Sequence, residues 1–394
     1  MPLNPIEEKF TTNIPKMNRL LALLLVFVSV IYGCSERKVV LNPLEAALTS
    51  DHPKIKRVMD SVEQYEVQIR YTQIDRSTEK PTFKDYDLQV NENKYFYPAS
   101  TVKFPIAVLA LEKLNATDSM GMYTKYFVEG DTIESNFAKD VTQIFAVSDN
   151  LANNRLVEFM GMDHINQQLT KKGIEPVRFS HRLGYHTGDP RTKPLIVFEN
   201  DSTTYLMEGS INTTPDPLDL SGIKKGKGYF EEGRLINESF DFSLKNYYPI
   251  KAQHEFLKRV VFPEAYPKSE QFELSSRQHE YLLESMHTVP RKVGYDEATY
   301  YDGYCKFFMY GDTKERIPDH IKIYNKVGFA YGTLTDCAYI KDEKNNVEFL
   351  LTATILVNNN EVFNDNQYEY DEIGIPFLAE LGRQIYQIEL ERTK

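Results

Sequence analysis

Tryptophan is absent from the 394 residues, cysteine occurs only three times and histidine eight. These few thiols and imidazoles do not cluster at metal-ligand spacing, so no metal site is assigned and no cofactor is expected. Positive charge is short as well. Lys+Arg at 46 against Asp+Glu at 57 leaves a net charge of −11, which works against binding a phosphate backbone, and nucleic acid is not expected as a partner. Gly and Pro, at 19 each, are too few for a fibrous or low-complexity chain. A hydrophobic fraction of 41% with 26% charged residues excludes a wholly disordered one. No internal repeat is visible. What remains is a globular chain longer than one core usually needs, hence two domains or one with large insertions. Its 26 Tyr and 23 Phe suit core packing first and the lining of a sugar groove second.

Long apolar runs are also missing. Residues 20–32 read LLALLLVFVSVIY, shorter than the roughly 20 residues a spanning helix needs. Lys16 and Arg19 precede the run and Gly33-Cys34 follow it, the layout of a secretory signal whose cleavage leaves Cys34 first. It resembles a bacterial lipoprotein signal, with Tyr32 bulkier than the small residue usual there and Met17 a second candidate start. The expected layout is a signal peptide over 1–33, lipidation at Cys34 and a tether over 34–42. The expected location is the bacterial cell envelope, with the chain held to a membrane by this N-terminal lipid anchor and facing the periplasm or the cell surface. Cys305 and Cys337 are then an even pair in an oxidising compartment, either one disulfide or two free buried thiols.

Along the mature chain, Ile55, Val58, Met59 and Val62 have the spacing of one helix face, predicting a helix over 53–63 that Asp51 and Pro53 help to start. Residues 65–74 alternate as a strand with one wet face, and a second strand is predicted over 85–90. FPIAVLALEKL over 104–114 is apolar nearly all round, a buried helix in which Pro105 falls in the first turn. Helix is predicted over 151–168 and 277–287, and a polar insertion or long surface loops over 200–240. Strands over 321–329, 335–340 and 347–357 follow, then a last helix carrying Phe377, Leu381, Ile385 and Ile388. The expected fold is α/β in the α+β sense. An antiparallel sheet flanked by helices is built from both chain ends, 43–98 and 275–394, with an all-helical domain inserted over 99–274.

Three short motifs carry chemistry. Ser100-Thr101-Val102-Lys103 places a lysine one turn after a serine at the start of a buried helix. The same spacing recurs at Ser35, Ser77 and Ser221, but those lie in a tether, a polar turn and the loop-rich insertion. Burial matters, because a lysine becomes a base only when desolvation or nearby positive charge lowers its pKa. Ser148-Asp149-Asn150 precedes the next helix, and Lys326-Val327-Gly328 sits in a predicted strand, whereas a second Lys-Val-Gly at Lys292 sits in a charged turn. Each motif has an ordinary alternative: helix caps for the first two, a solvated strand lysine for the third.

In this order the three motifs resemble those of class A β-lactamases and related penicillin-binding proteins. The resemblance implies an α/β sandwich plus a helical domain with the site between them. It implies Ser100 as nucleophile forming an acyl-enzyme, and Lys103 as its base or hydrogen-bond partner. Ser148 and Lys326 would pass a proton to the leaving nitrogen and hold a substrate carboxylate, and Asn150 would contact Lys103 and the substrate amide. The N–H groups of Ser100 and Phe329, next to Gly328, would form the oxyanion hole. The partner implied is a small-molecule β-lactam or a peptidoglycan-like peptide. A cell-wall D,D-peptidase or esterase with the same serine, and a non-catalytic binding lipoprotein, are the alternatives. Two departures stand out. Val327 replaces a Thr whose hydroxyl helps to bind a carboxylate, and residues 179–189 contain no Glu to activate the deacylating water. Glu175 lacks the family's Leu-Asn setting, which leaves His181, His186 and Asp189 as substitutes.

Overall fold

The computed structural model describes Met1 and residues 42–117, 119–184 and 188–392. The expectations for residues 1–33, for lipidation at Cys34 and for His186 lie outside the described residues. Among the described residues no helix is long and apolar enough to cross a membrane.

The architecture is mixed α/β: an antiparallel sheet flanked by helices, with a helical region inserted between its second and third strands. Strands β1 (Gln68–Asp75) and β2 (Thr82–Leu88) come from the start of the chain, and β3 (Ile321–Ala330), β4 (Thr333–Asp342) and β5 (Val347–Leu356) from its end. Their order is β3-β4-β5-β1-β2, every neighbour antiparallel. Helices α1 (Pro43–Leu48), α2 (Pro53–Met59) and the closing α9 (Ile375–Arg392) bury one face of the sheet. The other face packs on α3 (Lys103–Leu114), α4 (Phe137–Val147), α5 (Asn150–Met160), α6 (Met162–Lys171), α7 (Ile250–Val261) and α8 (Ser276–His287) through a second core. With helices on both sides, β4 and β5 are buried along nearly their whole length, as sheets covered on both faces are.

Several expectations change for physical reasons. The wet face of β1 is covered: Gln68 and Thr72 are buried, because α7 lies on it and its His254 meets Thr72 at 2.7 Å and Thr352 at 2.9 Å. That buried ring stays neutral, its pKa well below the ordinary value through desolvation. Helix α7, inside the stretch read as the helical domain, therefore packs as a face layer of the sheet. Helix α2 stops at Met59, where Ser61 N turns back to Val58 O. The single helix over 151–168 is two, broken at Gly161, whose φ of 73° suits glycine. Residues 200–240 are not only loops: Thr204–Met207, Gly228–Glu231 and Arg234–Ile236 are short paired strands. Cys305 and Cys337 are free and buried.

Helix α3 runs through the centre of the second core, with Phe104, Ala107, Val108, Ala110 and Leu111 almost wholly enclosed. Full burial over every turn fixes its axis. The residues at its N-terminus therefore stand on a rigid base.

Candidate functional site

A single 3₁₀ turn, Ala99–Val102, leads into α3 and carries Ser100. Ala99 sits at φ 47°, a left-handed conformation that costs an alanine free energy and points to a functional constraint. Neither this turn nor α3 has a side-chain cap hydrogen bond, so Ser100 does not serve as a helix cap. It lies half-buried on the wall of a cleft of about 440 Å³. Strand β3 presses directly on this turn at Gly328. A Cβ on Gly328 would lie 2.7 Å from Pro98 O, 2.8 Å from Ser100 N and 2.9 Å from Thr101 N. Those are backbone atoms, so only glycine permits the approach.

Lys103, one residue into α3, is completely buried. Its ammonium donates to Ser148 O, to Ser148 Oγ at 3.3 Å and to Asn150 Oδ1 at 2.7 Å. Lys326 is 2% exposed, so it is not a solvated strand lysine. It donates to Ser148 Oγ at 2.8 Å and to Val327 O at 2.7 Å. Two buried lysines thus converge on one serine. Ser148 is the left-handed cap that ends α4, at φ 57°, and this turn aims both its carbonyl and its hydroxyl inward. Asp149 is an ordinary cap for α5, its carboxylate accepting from Ala152 N at 2.7 Å. The motif therefore does both jobs, the central residue capping while its neighbours face the lysines.

Electrostatics separate the two lysines. Desolvation, then the nearby charge of Lys326, holds Lys103 well below its ordinary value. Burial brings Lys326 down to about 8. Lys103 thus carries two pushes toward its neutral form, burial and the charge of Lys326. Beneath them lies a polar layer. Lys306 donates to Asn325 Oδ1 at 2.7 Å and to Met286 O at 2.8 Å, and Asn325 Nδ2 donates to Asp336 Oδ1 at 2.8 Å. Burial pushes Lys306 down to about 8 and Asp336 up to about 6.

The structure brings Ser100, Lys103, Ser148, Asn150, Lys326, Gly328 and Phe329 to one place. One expected contact is not made: the Lys103 ammonium spends its hydrogen bonds on Ser148 and Asn150, and none joins it to Ser100 among the described residues. Lys292 points elsewhere, pairing with Asp319 at 3.3 Å on the surface. Val327 is buried in the core shared with α9, turned away from the cleft. Of the substitutes for the missing Glu, His181 is buried behind the Tyr97 ring, stacked on it at 6.3 Å, and burial lowers its pKa to about 4. Asp189 pairs with Arg191 at 3.1 Å beside a separate cavity. Neither lines the Ser100 cleft.

Sequence reasoning missed the opposite wall. Tyr97, Tyr331, Asn364, Asn366, Tyr368 and Tyr370 complete the cleft beside Phe329. The available signal was the run of asparagines after β5, at residues 358–360, 364 and 366, residue types that tolerate left-handed turns. Asn364 and Asn366 take up φ 60° and 58°.

The Beta-lactamase enzyme family matches the chain over residues 52–215, a span that holds Ser100, Lys103, Ser148 and Asn150 but not Lys326. No curated protein matches. Among solved structures, a β-lactamase from Sphaerobacter thermophilus is similar at 12% identity and a TM-score of 0.49, covering 88% of this chain and 96% of that one. A β-lactamase from Xanthomonas campestris pv. campestris stands at 12% and 0.49, with 87% and 96% covered. The structure of PBP-A stands at 13% and 0.48, with 89% and 96% covered.

Proposed function

We propose that the chain is a serine hydrolase that cleaves β-lactams or related amides and esters through an acyl-enzyme at Ser100. The observation that carries this reading is the convergence of buried Lys103 and Lys326 on Ser148, one helical turn from a serine that is free of any capping duty. Lys103, pushed toward its neutral form by burial and by the charge of Lys326, supplies the base, and Lys326 supplies the acid.

In the first step Ser100 Oγ bonds to the substrate carbonyl carbon and yields its proton to Lys103 Nζ. The carbonyl π pair moves onto oxygen, where the N–H groups of Ser100 and Phe329 receive it. Gly328 supports this pairing by letting the two backbones touch. The pair then re-forms the carbonyl as the bond to the leaving nitrogen or oxygen breaks. Ser148 Oγ–H protonates the leaving atom and is itself reprotonated from Lys326, and the lysine pair passes one proton between them across Ser148. In the second step water adds to the acyl carbon, the C–Oγ bond breaks, and one water proton returns to Ser100. None of the described cleft-lining residues carries a carboxylate or imidazole to activate that water, and a slow second step is part of this proposal.

The test is intact mass and peptide mapping after exposure to benzylpenicillin and to its methyl ester. An adduct on Ser100 with either compound, absent from Ser100→Ala, is expected; no adduct with either would overturn the reading. The placement on a membrane through lipid at Cys34 is proposed on the short apolar run ahead of it. Processing and membrane association should be lost in Cys34→Ser, and their retention would refute it.

A further inference from the structure

Just ahead of Ser100 the chain is held by the polar insertion. Ser221 O accepts from Tyr95 N at 2.8 Å, Ser221 N donates to Asn93 O at 2.9 Å, and Tyr95 OH donates to Asn246 O at 2.9 Å. Phe242 ends the insertion, its N–H donating to Ile223 O at 3.0 Å, and it is 1% exposed. Other rings surround it. Its centroid lies 4.7 Å from that of Phe240, 5.5 Å from those of Tyr95, Tyr331 and Phe363, and 6.0 Å from that of Tyr97. Tyr97 in turn meets Tyr331 edge-on at 5.0 Å. The cluster therefore grips both segments that carry the proposed oxyanion donors, since Tyr97 precedes Ser100 by one short turn and Tyr331 follows Phe329 by two residues.

Each of these segments contains a residue whose backbone is strained. Ala99, buried in the same cluster, has φ 47°; Tyr331 has φ 53° and Gly332 φ 75°. Tyr331-Gly332 is the two-residue loop joining β3 to β4, with Ala330 opposite Thr333. A loop with positive φ at both positions ordinarily takes Asn-Gly, because asparagine tolerates the left-handed region and a bulky ring does not. Strained residues of this kind persist only where the surrounding contacts over-determine them. Here those contacts are the packed rings, whose edge-on geometry is directional. Phe242 is buried behind Tyr97 and Tyr331, which line the cleft, so its effect on a bound ligand passes through them.

We infer that Phe242 is a positioning residue for the oxyanion hole: through Tyr97 and Tyr331 it holds the Ala99 and Tyr331 backbones left-handed, and so sets where the Ser100 and Phe329 N–H groups point. The insertion thereby takes part in acylation. This rests on the acyl-enzyme reading above and deepens it by naming what holds the oxyanion donors.

The test follows Ser100 acylation by benzylpenicillin over a range of concentrations, which separates the limiting rate from the half-saturating concentration. It adds the affinity for phenylboronic acid, which joins a serine oxygen reversibly as a tetrahedral anion and so depends on the same donors. In Phe242→Leu the limiting rate and the boronate affinity should both fall by roughly tenfold to 10²-fold, the cost of a displacement of up to about 1 Å, with the half-saturating concentration nearly unchanged. A merely structural ring would lower stability to urea and leave both constants alone. Tyr331→Asn supplies the residue type that the loop prefers, so it should fold at least as well by circular dichroism, yet it removes the ring and should lose the same two constants. In the double variant the losses should not multiply, because both substitutions break one link. Unchanged limiting rates in the folded variants, a loss confined to the half-saturating concentration, or losses that multiply would overturn the inference and leave the acyl-enzyme intact. Should Phe242→Leu fail to fold, Tyr331→Asn decides by the same two constants. No labelling of Ser100 in the unaltered protein would remove the acyl-enzyme reading and this inference together.

Discussion

Lys103 and Lys326 send their ammonium groups to the same hydroxyl, and in that dry site burial lowers the pKa of both while the charge of Lys326 lowers that of Lys103 further. In the proposed reaction acylation needs Lys103 neutral and Lys326 protonated. Lys103 is pushed far down by burial and by its neighbour, while Lys326 titrates at about 8. The rate of acylation should therefore rise with pH as Lys103 loses its proton and fall above about pH 8 as Lys326 does. Lys326→Gln removes the repelling charge, so Lys103 should hold its proton to higher pH. A pH profile of Ser100 labelling in this variant should show the acid limb displaced upward, which a merely structural lysine would not do. Below about pH 8, where Lys326 carries its proton, Lys326→Ala should slow acylation by about 10²–10⁴-fold, the usual contribution of a positioned proton donor. Lys292→Ala, at a surface ion pair, should leave the rate unchanged.

Two contacts between elements hold these side chains in register. Gly328 lets β3 lie against the Ser100 turn, and Gly328→Ala would drive a methyl group to within 2.9 Å of three backbone atoms. The turn must shift, so the variant should remain folded and lose Ser100 labelling by more than tenfold, given that catalysis tolerates displacements of only about 0.5 Å. Circular dichroism and labelling together check this. The second contact joins α4 and α5 across the Ser148 turn. Arg155 Nε donates to Asp140 at 2.9 Å, Ser135 Oγ donates to the same carboxylate at 2.8 Å, and both charged side chains are buried. Asp140→Ala would leave Arg155 buried without its partner, and urea denaturation should show a loss of about 3–5 kcal/mol.

At the level of the whole molecule, a third apolar cluster links the segment 218–242 to the cleft. Phe242 and Phe363 pack at 5.5 Å, and Tyr95, Tyr97 and Ala99 join them just ahead of Ser100. The strand pair Gly228–Glu231 and Arg234–Ile236 also pairs with Val362–Phe363. The polar insertion thus braces from behind the wall that residues 329–331 and the loop after β5 present to the site. Because that wall supplies rings and amides rather than a carboxylate, the acyl-enzyme should persist. A positioned base for water is worth about 10²–10⁴-fold, or about 3–5 kcal/mol of barrier. Time-resolved mass spectrometry with benzylpenicillin methyl ester should show an adduct at Ser100 that outlasts the reagent, whereas rapid multiple turnover would contradict it.

The sequence alone determined the parts whose causes are local. The apolar circumference of residues 104–114 made a buried helix, the runs over 321–357 made adjacent strands, and Ser100 and Lys103 shared a face because residues three apart align along a helical turn, here a 3₁₀ turn. Motif order also pointed to Ser148, Asn150 and Lys326, and all of them meet. Tertiary structure decided the rest. Both Lys-Val-Gly tripeptides read alike until β3 placed Lys326 against Ser148 and the surface took Lys292. The wet face of β1 became dry only when α7 crossed it. The cleft wall draws on residues 97, 329–331 and 364–370, distant in sequence and joined only by packing, so no local pattern could announce it. Spacing along the chain fixes which side chains share an element's face; which faces meet, and hence which charges are sealed from solvent, depends on contacts between distant segments.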